Sequence, residues 1–444
     1  MDIMLILQLI VLFGAIFIGI RLGGIAIGYA GGLGVVILSL VLGMKPGSIP
    51  WDVILIIAAA IVAISAMQQA GGLDYMVRVV EKFLRANPKF INYLAPACGW
   101  LLTILAGTGN AVFSLMPVVV DVAKSQNIKP SAPLSLMVVS SQIGITASPV
   151  IAAVVYMSGV LEGFGWNYPT LIGIWMATTF IACMLTAFIV SLITPLDLSK
   201  DVVYQERLKA GLVKDAGKVL HGTDKPGAKL SVGIFLITVL TVVLYATAIS
   251  KNIAWIDPVI MERDAAIMSF LLAAAALITW LCKVEPGKIL ETGVFKSGMT
   301  ACVCVFGVAW LGNTFVAGHE QAIKDVAGEW VKQSPALLAV AFFFASMLLY
   351  SQAATAKAIT PVIITALGIT ATNPGNSYML VACFAAVSAL FVLPTYPTLL
   401  GAVQMDDTGT TRIGKFIFNH AFFLPGVLAI AIAVALGFLV ISLF

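Results

Sequence analysis

The sequence predicts an all-α polytopic membrane protein built from two inverted repeats, each with five transmembrane helices and one re-entrant hairpin. Of 444 residues, 60% are hydrophobic and 10% charged, with a mean hydropathy of +1.04, so most of the chain belongs in hydrocarbon and a soluble enzyme is excluded. A second observation is a pattern of interruption that occurs twice. Leu105–Asn110, Pro117 and Thr146–Pro149 in the first half answer to Tyr350–Lys357, Pro361 and Pro394–Thr398 in the second. Paired prolines lie 361 − 117 = 244 and 394 − 149 = 245 positions apart, so the register barely drifts. Thirdly, the resulting drawing places 19 Lys and Arg on one face and five on the other, as the positive-inside rule requires.

A span needs roughly 20 apolar residues to cross about 30 Å of hydrocarbon. Such runs occur at 4–20, 22–43, 51–70, 133–159 and 168–194 in the first repeat (1–194), and at 230–250, 264–281, 294–316, 377–403 and 417–442 in the second (230–444). Two further apolar stretches, 91–123 and 335–370, are broken by polar residues near their middles and are drawn as hairpins that enter and leave on one side. Backbone can break at membrane depth only where protein or water satisfies its polar groups. Five crossings per repeat give the halves opposite orientations. With the N-terminus outside, Arg21, Arg78, Lys124 and the seven basic residues of the 195–229 linker fall in the cytoplasm, and both termini lie on the periplasmic side. The linker is too short for a catalytic domain, and the net charge of +4 reflects these inner loops, with no nucleic-acid surface implied.

The six cysteines lie in or beside apolar segments and the three histidines are far apart, so neither disulfides, a metal site nor a cofactor is expected. Gly24, Gly28 and Gly32 recur every fourth residue in the second span and fit close helix packing; nucleotide binding would need a preceding strand in a soluble domain. Asp406–Thr411 (Asp-Asp-Thr-Gly-Thr-Thr) has the look of a phosphorylated pump loop, but there is no large cytosolic domain to bind ATP. Asp406, Asp407 and Arg412 are read instead as organising the cytoplasmic end of the ninth span, with a gate as a further role for one acid. Gln68-Gln69 and Asn313-Thr314, 245 positions apart, repeat as polar ends of each third span and could simply cap there.

The hairpin breaks carry the chemistry. Thr108, Gly109 and Asn110 at one tip, and Ser351, Gln352 and Thr355 at the other, offer hydroxyls, amides and helix N-termini, whose free N–H groups favour anions such as carboxylates. Small residues that merely let helices pack are the competing account of each residue singly. Lys357 is the one cation placed at membrane depth, where charge is costly, and it could otherwise snorkel to the surface.

The runs Ser351–Ala358, Leu393–Leu399, Gln404–Phe416 and Arg21–Gly24 resemble the Dcu family of anaerobic C4-dicarboxylate transporters, and the resemblance extends over nearly the whole chain. It implies a bacterial inner-membrane carrier that takes in fumarate, malate or aspartate and puts out succinate. More remotely, the layout is similar to the ion-transporter superfamily, whose hairpins and broken helices move as an elevator across a static scaffold. In that pattern both tips carry a Ser-Asn-Thr type motif. Here the second tip lacks Asn and gains Lys357, whose ammonium would supply the charge balance that sodium supplies elsewhere.

The substrate is therefore expected near the midplane, between the tips and the breaks at 147–149 and 395–398. Thr108, Gly109, Asn110, Ser148, Gln352, Thr355, Thr395 and Thr398 would donate to two carboxylates, and Lys357 would neutralise one. Lipid and C4-dicarboxylates are the expected partners, with a homodimer left open. A small-anion channel and a dicarboxylate-sensing membrane subunit remain as alternatives, separable by unitary currents and by binding without net flux.

Overall fold

The computed structural model describes residues 3–22, 25–49, 51–213, 225–250, 253–319, 321–322, 334, 337–349, 351–394, 396–416 and 418–442. Among these residues every regular element is helical, apart from three isolated bridges. The first half comprises α1 (Ile3–Leu22), α2 (Ala26–Val36), α3 (Trp51–Gln69), α4 (Gly72–Ala86), α5 (Ile91–Ala106), α6 (Met116–Ser125), α7 (Ser131–Gly144), α8 (Ala152–Glu162) and α9 (Tyr168–Ile193). A short linker helix, α10 (Val202–Lys209), leads to α11 (Ala228–Ala248), α12 (Arg263–Leu281), α13 (Pro286–Ile289), α14 (Gly293–Cys304) and α15 (Trp310–Gly318). The chain ends with α16 (Leu337–Leu349), α17 (Gln352–Ala366), α18 (Tyr378–Cys383), α19 (Pro397–Met405) and α20 (Phe423–Ile441).

This is a multi-pass membrane protein. Seven helical runs among the described residues are long and apolar enough to cross a bilayer, and α3 with α4 makes an eighth, bent by 73°. Six of the seven coincide with expected spans and the seventh, Pro88–Ala106, falls on the first arm of the expected 91–123 hairpin, while the other four expected spans are shorter or bent helices. The span expected at 51–70 stops at Gly71, whose φ of +88° turns the chain into α4. That helix buries Leu73, Met76, Val77 and Leu84 while exposing Asp74 and Lys82, an amphipathic pattern suited to the membrane surface. The 22–43 run passes from α2 into a π turn at Ile37–Val41. The 377–403 run is cut by a 3₁₀ stretch, Phe384–Phe391, before α19 begins at Pro397.

The two helices of each expected hairpin pack against each other. Helix α5 ends at Gly107, φ +65°, and the chain turns through a 3₁₀ segment, Gly109–Ser114, into α6, which packs back on α5. Helices α16 and α17 pack against each other in the same way.

Several contacts recur with the halves exchanged. Helix α2 packs on α14 and α15, and α12 packs on α3; α6 packs on α19, and α17 packs on α8. The polar helix ends follow suit. Gln68 Oε1 accepts from the Val294 N–H at 3.0 Å, while Thr314 Oγ1 accepts from the Gly47 N–H at 3.0 Å and the Asn313 amide donates to the Ser48 carbonyl at 2.9 Å. Gln68 thus caps the start of α14, while Asn313 and Thr314 hold the backbone segment that leads into α3.

Close packing of α2 depends on its glycines. A Cβ on Gly28 would sit 2.2 Å from the Val303 carbonyl oxygen, and one on Gly31 would meet the Gly307 backbone at 2.4 Å, whereas Gly32 faces open space. Gly28 and Gly31 thus serve packing within the chain, Gly32 of the expected every-fourth-residue face does not, and Gly24 lies outside the described residues. Backbone cannot yield as a flexible side chain can, and overpacking costs about 1–3 kcal/mol. Gly28→Ala is therefore expected to lower the thermal midpoint of the detergent-solubilised protein, and Gly32→Ala to leave it level or higher. Equal midpoints for the two variants would remove this account.

Candidate functional site

At the first hairpin tip the left-handed Gly107 frees the chain from α5, and extended Thr108 then caps the next turn, its Oγ1 accepting from the Asn110 N–H at 3.2 Å. The Thr108 hydroxyl proton is left available to a ligand, and the Asn110 side-chain amide makes no hydrogen bond among the described residues. Gly107, Thr108 and Asn110 line a partly open cavity of about 70 Å³. Its other walls are Val150–Ala152 at the start of α8, Ile56, Ile57, Ala60, Ile61 and Ile64 along α3, and Val294 and Gly298 of α14. Polar groups at one end of an otherwise apolar pocket fix the orientation of a small ligand.

Beneath the tip, fully buried Gln142 near the end of α7 joins residues from three separate elements. Its Nε2 donates to Thr398 Oγ1 at 3.2 Å, and Gln352 Nε2 reaches the Gln142 carbonyl at 3.4 Å and its Oε1 at 3.5 Å. Gly109 lies so close that a Cβ there would be 3.0 Å from Gln142 Nε2. The structure thus brings Gly109, Gln352 and Thr398 together around a residue that the sequence reading did not name. The available signal was an amide in an apolar span, shortly before its break.

Other expected donors are already engaged. Ser148 Oγ donates to the Ile104 carbonyl at 3.0 Å and Thr355 Oγ1 to the Ser351 carbonyl at 2.8 Å, both buried, so each is free to accept but gives up a bond to donate elsewhere. Ser351 Oγ accepts from the Ala354 N–H at 3.2 Å and opens α17. Thr395 lies outside the described residues.

Lys357, in the second half of the chain, has two partners in the first half. It forms an ion pair with Asp52 in the first turn of α3, and its Nζ lies 5.3 Å from the Tyr156 ring centroid of α8. Five residues along a helix is about 140° of rotation at 3.6 residues per turn, so Lys357 and Gln352 occupy different faces of α17. Asp52 and Tyr156 were both missed in the sequence. An acid at a helix start is commonplace there, and nothing local marks its partner.

The Asp406–Thr411 loop is a closed structural unit. Asp406 is 3% exposed; one oxygen accepts from the Thr408 N–H at 3.0 Å and hydroxyl at 2.5 Å, the other from the Thr410 hydroxyl at 2.9 Å and the Thr411 N–H at 2.6 Å. Asp407 pairs with Lys124 at the end of α6 at 3.0 Å, and Arg207 of α10 donates to the Asp407 carbonyl at 2.9 Å. Linker and first hairpin are therefore clasped at this loop. Asp201 caps α10 and pairs with Lys129 at 3.0 Å, and its carboxyl is held below the usual range by Lys129 and the Tyr204 N–H, against the opposing effect of burial. Among the described residues no cluster of His, Cys, Asp and Glu could hold a metal ion.

Comparison with known proteins places these features in context. Residues 4–444 match the family model described as anaerobic C4-dicarboxylate membrane transporter. The C4-dicarboxylate transporter DcuA of Helicobacter pylori is 60% identical over 436 residues, 98% of each chain, and DcuA of Escherichia coli K12 is 53% identical over 435 residues, again 98% of each. The anaerobic C4-dicarboxylate transporter DcuB of Escherichia coli O6:H1 is 36% identical over 451 residues, covering 99% of this chain and 98% of its own. Among solved structures, MtrF of Neisseria gonorrhoeae aligns with a TM-score of 0.56 at 12% identity over 98% of this chain and 94% of its own. The YdaH transporter of Alcanivorax borkumensis aligns with a TM-score of 0.54 at 13% identity over 88% and 85%. At such identities the likeness speaks for the fold alone.

Proposed function

This chain belongs to the anaerobic C4-dicarboxylate membrane transporters, and on that premise we propose that it exchanges fumarate, malate or aspartate for succinate across the bacterial inner membrane by an elevator motion. One observation carries the reading. The cavity beside Thr108 and Asn110 lies between a hairpin and broken helix on one side and the long helices α3 and α14 on the other. That is where a substrate carried by a moving unit would sit against a fixed scaffold. The tip donors would take one carboxylate, and the Gln142–Gln352–Thr398 cluster would fix the hairpins and second break around the diacid. Contacts that recur with the halves exchanged support two inverted repeats divided by the 195–229 linker, and the distribution of Lys and Arg supports both termini being periplasmic.

The proposal predicts that purified protein in liposomes takes up labelled fumarate or aspartate rapidly only when a C4-dicarboxylate is present inside. The site should reorient poorly when its donors and charge are unmatched. Lactate should compete weakly, because a monocarboxylate leaves half the donors unpaired. Equal uptake into empty and preloaded vesicles would remove the exchange, and strong competition by lactate would remove the two-carboxylate site.

A further inference from the structure

The ion pair between Lys357 and Asp52 lies about one helical turn beyond the cavity lining. Helix α3 gives Ile56 to the cavity wall and Asp52 stands one turn before it; α8 gives Ala152 and Tyr156 stands one turn after it. At 1.5 Å rise per residue, each lies about 6 Å beyond the lining. Lys357 reaches into the space between them from α17 of the second hairpin, so the pair ties that hairpin to α3. Bound to Asp52, the ammonium is neutralised and offers little to an incoming dianion.

The two partners are not equally free to leave. The Lys357 side chain is 16% exposed and that of Asp52 is 45% exposed, so the carboxylate can turn into water at small cost whereas the ammonium stays in place. We propose that Asp52 is a built-in competitor of the substrate: its carboxylate holds Lys357 in the empty carrier and is displaced by a substrate carboxylate, which unlatches the second hairpin from α3. This rests on the exchange reading above and supplies its missing part, a reason why the empty carrier stays put. A substrate with two carboxylates can occupy the tip donors and the ammonium together; one with a single carboxylate satisfies only one end.

The test is equilibrium binding of labelled fumarate and uptake into empty and preloaded liposomes, both with the full chain. A competing bound state lowers apparent affinity by the fraction of protein that it occupies, so Asp52→Asn should bind fumarate roughly three- to tenfold more tightly. The same variant should take up fumarate into empty vesicles faster relative to preloaded ones. In a Lys357→Gln background, Asp52→Asn should change neither quantity further. Weaker or unchanged binding by Asp52→Asn, or an unchanged ratio of empty to preloaded uptake, overturns the latch. Should Asp52→Asn not fold, the exchanged pair Asp52→Lys with Lys357→Asp keeps the tie but puts the ammonium on the wetter side. It is expected to fold and bind fumarate poorly, and binding equal to the parent would make the pair a mere strut. Failure of the parent itself to bind fumarate or to need preloading would sink the exchange reading instead, so the two failures are told apart.

Discussion

Lys357→Gln is expected to weaken fumarate binding tenfold or more while expression and thermal midpoint hold, and Lys357→Arg to retain more binding than Gln. At about 4 Å, with an effective protein dielectric near 20, a pair of unit charges is worth roughly 4 kcal/mol. Helix N-termini contribute only about 0.3–1 kcal/mol each when exposed, and up to ~2 when partly buried. The ammonium should therefore dominate the attraction of a dianion. Equilibrium binding and counterflow measured together check this, and a Gln variant that binds and exchanges like the parent would reduce Lys357 to a structural tie.

Gln142→Leu should have a comparable or larger effect on exchange. The two side chains are similar in bulk, so the core is not emptied, but Thr398 loses its donor and Gln352 the side-chain one of its two acceptors, keeping the backbone carbonyl of residue 142, in a buried setting. Each buried group left without a partner costs about 1–3 kcal/mol. If that cost falls on the substrate-binding arrangement, affinity drops by roughly tenfold to a hundredfold or more. Gln142→Glu should be worse for a dianion than Leu, since it adds a negative charge where hairpin and second break meet. The measurement is fumarate affinity alongside the thermal midpoint. A Leu variant that loses stability yet keeps its affinity would make Gln142 a strut of the fold with no part in the site.

What was legible in the sequence was whatever local chemistry enforces. Lipid demands long apolar runs, and glycine and polar residues inside such a run mark places where helix gives way, so the break at Gly107–Asn110 could be read directly. The bend after α3 was legible only as an end. Gly71 closes the run, but the 73° turn into α4 follows from burial of the apolar face of α4. The 195–229 segment read as a plain linker because nothing local announces that Arg207 docks on Asp407, 200 positions away. Lys357 was conspicuous, a cation in hydrocarbon, and its partner was not: Asp52 looks like any acid in a helix's first turn.

By itself, then, the sequence determined the membrane-embedded helical class and the places where its helices give way, because solvation by lipid acts on each segment separately. The tertiary structure alone decided which polar groups share a site. Hydrogen bonds and ion pairs at depth must be satisfied by whatever side chain the packing delivers, regardless of distance along the chain. Thus Ser148 gives its proton to the Ile104 carbonyl, Gln142 gathers Gln352 and Thr398, and Lys357 meets an acid 357 − 52 = 305 positions earlier.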